Sequence, residues 1–277
     1  MNIQVKNYTL AALLFVVLLS TASTFGGVVG EVVYYLAFLL PLLWCVHCAK
    51  GAKKKREEVA GVAEPPRNLF SLGKAGWITT LLLTAPVVAI VLLLSYLGSL
   101  LFSFFGFDTP TVADGPIFNM LIEHALAPSI LEELLFRFVP LLLLAPYSRR
   151  GCIIISALYF ALIHCNFFQI PYALIAGAIF IIVDLAFDSV LPSFILHLAN
   201  NVASVIMLKY CAVGKAFLLY LAIVVLLALI SLLLLNIWSK RLSSGFTRVF
   251  EKGEPFTTIS PIALAVLTMG IAVFNLF

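Results

Sequence analysis

Two adjacent glutamates and an arginine stand inside an otherwise apolar stretch of the sequence. Glu132 and Glu133 are followed by Arg137, and the surrounding residues are largely apolar from about position 117 to 144. A charge at the centre of a membrane-spanning helix costs roughly 2.5–3.5 kcal/mol, so such residues are rare and usually functional. Glu133 and Arg137 are four residues apart, which predicts an ion pair on one helix face. Glu132 points about 100° away, needs a partner from another helix, and is the predicted reactive carboxylate.

Two histidines and an asparagine share this apolar setting. His164 lies near the end of a short apolar run, and His197 stands four residues before Asn201 in another run. This spacing places His197 and Asn201 on one helix face, whereas Asn200 is expected to point elsewhere. We predict that Glu132, His164 and His197 converge on a single water or ion.

A carboxylate and two histidines fit two mechanisms. In one, Glu132 assisted by His164 acts as general base on a water, and His197 with Asn201 donates hydrogen bonds to the developing oxyanion. In the other, His164, His197 and Glu132 hold a metal ion with an open position for water. Helical spacing alone does not decide between them, so both stay open at this point.

The composition requires that helices in a membrane position these residues. Of 277 residues, 63% are hydrophobic and only 11% are charged, against roughly 25% charged in soluble domains. Apolar runs near the roughly 20 residues that cross a bilayer predict an all-α, polytopic transmembrane bundle of about eight to nine spanning helices. The runs lie at about 10–25, 32–49, 77–105, 117–144, 152–165, 171–187, 190–208, 216–238 and 259–277.

Charge in the connections predicts the orientation of an integral, multi-pass membrane protein. The connection 50–74 carries seven Lys or Arg, whereas 106–116 carries two aspartates and no base. By the positive-inside rule the N-terminus is cytoplasmic, and the membrane is the plasma membrane if the source is bacterial. The net charge of +4 is assigned to this orientation and to anionic headgroups, with no nucleic-acid partner. The proline-broken segment 51–73 is predicted to be a cytoplasmic loop.

We divide the chain into three parts. Helices with a basic loop form 1–116, a helical core that contains the polar residues above forms 117–208, and further helices form 209–277. Within the core, Glu123 and His124 are interpreted as interfacial. Asp184 and Asp188, four residues apart, are predicted to cap or orient the turn into the next helix.

Three motifs in this order resemble the CPBP intramembrane proteases, which include type II CAAX prenyl endopeptidases and the Abi bacteriocin-processing and immunity proteins. The motifs are Glu132-Glu133-Leu-Leu-Phe-Arg137, Phe160-Ala-Leu-Ile-His164 and His197-Leu-Ala-Asn-Asn201. The resemblance covers about 117–208, one third of the chain.

The resemblance implies an intramembrane endopeptidase that acts, within the lipid bilayer, on a membrane-associated or lipidated peptide or protein. It assigns water activation to Glu132 with help from His164. It places His197 and Asn201 at the oxyanion and gives structural support to Glu133 and Arg137. The resemblance leaves a zinc cofactor and a metal-free glutamate mechanism equally open.

Two other functions are open at this point. A non-hydrolytic membrane scaffold or bacteriocin self-immunity protein would bind a partner membrane protein, and Glu132→Gln should then retain function. A proton-coupled carrier would use Glu132 and Glu123 along a continuous polar path. The apolar runs 77–105 and 216–238 argue against such a path.

Overall fold

The computed structural model describes residues 2–25, 27–106, 115–211, 214–238 and 249. In these ranges the chain forms eight helices and no strand, which confirms the predicted all-α bundle. The helices are α1 (Asn2–Thr24), α2 (Gly27–Ala60), α3 (Lys74–Phe104), α4 (117–143), α5 (Arg149–Leu162), α6 (Ile170–Phe187), α7 (Leu191–Tyr210) and α8 (Gly214–Trp238). The ninth predicted helix, 259–277, lies outside the described residues.

Six of the described helices, α1, α2, α3, α6, α7 and α8, are long and apolar enough to cross a membrane. The two others belong to the segment that holds the predicted site. Helix α5 has 14 residues and is therefore about 21 Å long, shorter than the roughly 30 Å hydrocarbon core. Helix α4 is interrupted. The chain is an integral membrane protein whose central helices depend on the others for burial.

Helix α4 departs from the single regular helix that its apolar pattern predicts. Two π-helical turns, Ile122–Leu126 and Leu134–Phe138, interrupt it. Each turn ends two residues before a proline, Pro128 or Pro140, and proline has no N–H for the carbonyl four residues earlier. At the second turn the Val139 N–H bonds to the Leu134 carbonyl. The Leu135 carbonyl thereby loses its ordinary helical donor.

Side chains satisfy the carbonyls that this second turn releases. The Tyr8 hydroxyl of α1 donates to the Leu135 carbonyl at 3.2 Å. The Ser156 hydroxyl of α5 and Nη1 of Arg137 donate to the Phe136 carbonyl at 2.5 and 2.9 Å. The π-helical turn thus fixes α1, α5 and the buried guanidinium to one point of α4.

The N-terminal helices pack on this central region. Helix α1 lies against α2, and both contact the second half of α4. Tyr8 stacks on Tyr159 of α5 at 5.2 Å between ring centroids, and Thr9 is hydrogen-bonded to the Tyr159 hydroxyl. Helices α3, α7 and α8 form the opposite side, where α3 contacts both α7 and α8. The site lies between these two groups of helices.

The prediction that a loop begins at position 51 is wrong. Helix α2 continues to Ala60 because Lys, Ala, Arg and Glu favour helix. The pairs Lys53–Glu57 and Lys54–Glu58, at 3.7 and 3.9 Å, add i,i+4 support. The chain then turns at Gly61, whose φ of +66° suits glycine.

The remainder of the connection, 61–73, docks on the protein. Arg67 pairs with Asp188 at the turn between α6 and α7, and its Nη1 donates to the Leu141 carbonyl at 3.0 Å. The Leu69 carbonyl accepts the Val190 N–H at 2.8 Å. This segment therefore ties the end of α4 to the start of α7.

Candidate active site

Helices α4 and α7 bring both glutamates to one histidine. His197 Nδ1 lies 2.7 Å from Oε1 of Glu133, and His197 Nε2 lies 3.9 Å from Oε2 of Glu132. An ionised carboxylate only accepts hydrogen bonds, so Nδ1 carries the proton of the shorter contact and Nε2 faces Glu132. Glu132 therefore meets a group on another helix, as its position on the helix predicts.

The ion pair predicted within α4 is present. Nε of Arg137 lies 3.3 Å from Oε2 of Glu133, and both side chains are almost completely buried. The guanidinium also lies over the Phe160 ring at 4.2 Å and near the Phe180 ring at 5.5 Å. Cation–π contacts of this kind offset part of the cost of removing the charge from water.

The Phe160 ring of α5 lies at the centre of the site's contacts. Its centroid lies 5.1 Å from the His164 ring and 5.6 Å from the His197 ring, both nearly perpendicular to it. Helix α6 approaches this ring closely at Gly177, where a Cβ would lie 3.0 Å from the Phe160 side chain. Both histidines and the buried arginine thus contact one aromatic side chain.

His164 stands just after the last residue of α5. Its Nδ1 lies 2.7 Å from the Phe160 carbonyl, and a carbonyl only accepts, so Nδ1 is the donor. The ring is half-buried, and its Nε2 atom takes no part in this hydrogen bond. The structure does not make it a third ligand beside Glu132 and His197. Among the described residues, no three His, Cys, Asp or Glu side chains are placed to hold a metal ion, so the metal arrangement that the sequence allows is not formed.

Asn201 is held on α4 by a serine that sequence reasoning missed. Nδ2 of Asn201 lies 3.5 Å from Oγ of Ser129, which donates to the Ala125 carbonyl at 2.6 Å. Ser129 is four residues before Glu133, and this shared helix face was the available signal. Asn200 is largely buried, and its Nδ2 lies 3.4 Å from Oδ1 of the adjacent Asn201.

The two aspartates near the end of α6 have different surroundings. Asp184 is fully buried, and its Oδ1 accepts the N–H of Ser193 in the first turn of α7 at 2.9 Å. Asp188 is exposed, has a left-handed φ of +50° at the end of α6, and pairs with Arg67. Asp184 therefore caps α7 as predicted, and Asp188 orients the turn.

Two further residues agree with the sequence analysis, and one contact residue could not be identified from the sequence. Glu123 and His124 are exposed, as expected for interfacial positions. Phe180 lies 5.6 Å from the His197 ring, and nothing in the sequence distinguishes it from the other phenylalanines. Its contact with His197 depends on how α6 packs against α7.

Comparison with known proteins supports the resemblance seen in the motifs. Residues 114–203 match the family described as Rce1-like, type II CAAX prenyl endopeptidase Rce1-like. This segment includes α4, α5, α6 and most of α7, and therefore every residue of the site described above. The predicted family resemblance is thereby confirmed, and it supports a CAAX-type intramembrane endopeptidase in general. No curated protein and no solved structure matched the chain.

Proposed function

We propose that the chain is an intramembrane endopeptidase that hydrolyses a peptide bond in a membrane-associated or lipidated peptide or protein. The observation that carries the proposal is the line of groups Glu133–His197–Glu132, with separations of 2.7 and 3.9 Å. A buried carboxylate that orients an imidazole toward a reacting group is a recurrent device of hydrolases. Here the line lies within the family-matched segment.

In this mechanism Glu132 is the general base. The 3.9 Å between its Oε2 and His197 Nε2 is too long for a hydrogen bond, and it suits a water held by both groups. Glu132 takes one proton from this water while the water oxygen bonds to the carbonyl carbon of the substrate. His164, with Nε2 available, assists Glu132.

The tetrahedral intermediate is stabilised from α7. His197 and Asn201 donate hydrogen bonds to the oxyanion, which requires that His197 carries a proton on Nε2 as well as on Nδ1. Glu133 holds the ring at Nδ1 and Arg137 holds Glu133. When the C–N bond breaks, Glu132 returns its proton to the leaving nitrogen, and the products are a carboxylic acid and an amine.

We favour the metal-free form of the two mechanisms. The grouping of ligands that zinc catalysis needs, three protein side chains and an open position, is not formed among the described residues. No step of the mechanism above therefore passes through a metal.

We also propose that the N-terminus is cytoplasmic. The basic end of α2 and Arg67 lie at the same end of the bundle, where Arg67 pairs with Asp188. Basic residues favour the cytoplasmic side of a membrane.

Cleavage by Glu132→Gln protein in proteoliposomes tests the proposal. The substrate is a mixed library of prenylated and unmodified peptides, and products are identified by mass spectrometry. Loss of the base should lower kcat by roughly 10²–10⁴-fold. Glu123→Gln, an exposed glutamate of the same helix, is the matched control and should cleave at the wild-type rate. Unchanged cleavage by Glu132→Gln would overturn the mechanism, and binding of a partner without any cleavage would support the scaffold alternative.

A further inference from the structure

The second π-helical turn of α4 begins at the residue after Glu133, and hydroxyl groups of two other helices satisfy it. The Tyr8 hydroxyl donates to the Leu135 carbonyl at 3.2 Å, and the Ser156 hydroxyl donates to the Phe136 carbonyl at 2.5 Å. Both side chains are completely inaccessible to solvent. A buried carbonyl without a donor is costly. The two hydroxyls therefore stabilise the turn in its π-helical form.

This turn determines which way the glutamates face. A π-helical turn closes its hydrogen bonds over one residue more than an α-helical turn, and each residue of an α-helix turns the chain by about 100°. The part of α4 after the turn is fixed by buried apolar side chains, namely Val139, Leu141, Leu143 and Leu144. A regular helix would therefore rotate the glutamate-bearing part relative to this fixed part and take Glu132 away from His197.

The Tyr8 hydroxyl is held in place by the contacts of α1 with α5. The Tyr8 ring stacks on the Tyr159 ring at 5.2 Å between centroids. The neighbouring Thr9 is hydrogen-bonded to the Tyr159 hydroxyl. Helix α1 lies outside the residues 114–203 that match the family. A helix from outside the matched segment thus supplies a donor next to the site.

We propose that Tyr8 and Ser156 are positioning residues that hold the π-helical turn and thereby direct Glu132 toward His197. The inference rests on the proposed function for its catalytic consequence. Both residues act through the backbone of α4 and do not contact the substrate. Tyr8 should have the larger effect, because Nη1 of Arg137 also donates to the Phe136 carbonyl that Ser156 contacts.

Steady-state kinetics of matched variants test this role. Tyr8→Phe keeps the ring and removes the hydroxyl, so kcat should fall roughly 10- to 100-fold with KM unchanged. Its control is Tyr220→Phe, which removes a hydroxyl that donates to the Ala203 carbonyl at 2.8 Å and should keep the wild-type kcat. Ser156→Ala should lower kcat several-fold. Its control is Ser189→Ala, because Ser189 is equally buried and also donates to a carbonyl distant in sequence.

A double variant separates positioning from stability. In Tyr8→Phe/Pro140→Ala the alanine supplies the N–H that a regular helix needs, so the Leu135 and Phe136 carbonyls can both regain backbone donors. The Tm in mixed detergent micelles should therefore return toward the wild-type value, whereas kcat should stay low because the π-helical turn is lost. Recovery of kcat together with Tm would show that Tyr8 only stabilises the fold, and would overturn the positioning role.

A disulfide measurement does not depend on cleavage. Ser129→Cys and Asn201→Cys replace side chains that approach to 3.5 Å, so oxidation should join them while the glutamate-bearing part of α4 faces α7. Mass spectrometry of the peptides gives the rate of disulfide formation. The rate should fall several-fold when Tyr8→Phe/Pro140→Ala is added to this pair and stay unchanged when Tyr220→Phe is added.

The outcomes separate this inference from the proposed function. Wild-type kcat and an unchanged disulfide rate in the Tyr8 variants, alongside an inactive Glu132→Gln, would overturn the positioning role and leave the protease intact. If Glu132→Gln is fully active, the protease mechanism fails, and the disulfide rate alone then decides whether Tyr8 sets the direction of the glutamates.

Discussion

Helices α4 and α8 differ in their regularity, in their charge and in how far they are buried inside the protein. Helix α8 runs without interruption over Gly214–Trp238, has no charged residue after Lys215, and exposes most of its leucine side chains. Helix α4 is broken by two π-helical turns and buries Glu133 and Arg137 almost completely. Helix α8 is one of the six helices long and apolar enough to cross a membrane, whereas α4, which carries four charged residues, is not among them. The helix that carries both glutamates of the site is therefore not recognised by apolarity alone.

Arg137→Met should produce the largest loss of stability that the comparison predicts. The substitution leaves the buried carboxylate of Glu133 without its cation, and breaking a buried pair costs about 3–5 kcal/mol. The free energy of unfolding in mixed detergent micelles measures the effect. Lys215→Met at the start of α8 is the control and should change it by less than about 0.5 kcal/mol. Equal losses in the two variants would remove the distinction between the helices.

Phe160→Leu should have the next largest effect. A hydrophobic exchange in a packed core costs about 1–2 kcal/mol, and here both histidines and Arg137 also lose their common contact. We expect kcat to fall roughly tenfold. Phe217→Leu is the matched variant, since Phe217 of α8 lies 4.9 Å from Tyr96 and far in sequence from the site. Cleavage assays should show a wild-type rate for it, and a comparable loss would contradict the special position of Phe160.

Pro140→Ala tests why α4 is broken. The alanine N–H can bond to the Phe136 carbonyl and compete with Ser156 and Arg137 for it. We expect a several-fold lower kcat/KM with a free energy of unfolding changed by less than about 1 kcal/mol. Pro86→Ala in α3 serves as the control. Activity unaffected by Pro140→Ala would show that the π-helical turn is not needed to place the guanidinium.

Removal of metal ions should have no effect on cleavage. The described residues form no three-ligand site at the charged groups of α4. Protein treated with 1,10-phenanthroline should keep its kcat/KM, and elemental analysis should find substoichiometric zinc. Stoichiometric zinc that is lost in His164→Ala together with activity would establish the metal mechanism instead.

The smallest expected change in stability concerns an Arg–Glu pair near the end of α2. Arg56 lies 2.6 Å from Glu64 and holds the pKa of this glutamate below its ordinary value of 4.5. A carboxylate with a lowered pKa in the folded state stabilises the fold above its ordinary pKa, and this contribution disappears as the pH falls through the lowered value. Thermal unfolding should therefore show a shallower loss of stability below pH 4.5 in Glu64→Gln than in the wild type. Surface pairs contribute little, in contrast to Arg137–Glu133.

Much of this arrangement follows from the sequence, because apolar length and four-residue spacing are local properties. They predict the helices, the Glu133–Arg137 pair, and the need of Glu132 for a partner on another helix. The partner itself, His197, became a specific prediction only through its motif. Spacing could not show that the Glu133 carboxylate contacts His197 Nδ1, or that His164 stays out of a ligand set, because both depend on the rotation of α5 and α7. Phe180 likewise acquires its contact with His197 only through packing.

The contact between α1 and α4 has a consequence for how the chain is made. The Tyr8 hydroxyl and the Leu135 carbonyl that it satisfies are 127 residues apart, and Thr9 reaches Tyr159 on α5. Helix α1 is synthesised before α4 and α5, so it completes these contacts only after both have been inserted. The Ser156 hydroxyl, in contrast, belongs to a helix made after α4. The order of synthesis therefore leaves the Phe136 carbonyl of the glutamate-bearing helix without its serine donor until α5 is in the membrane.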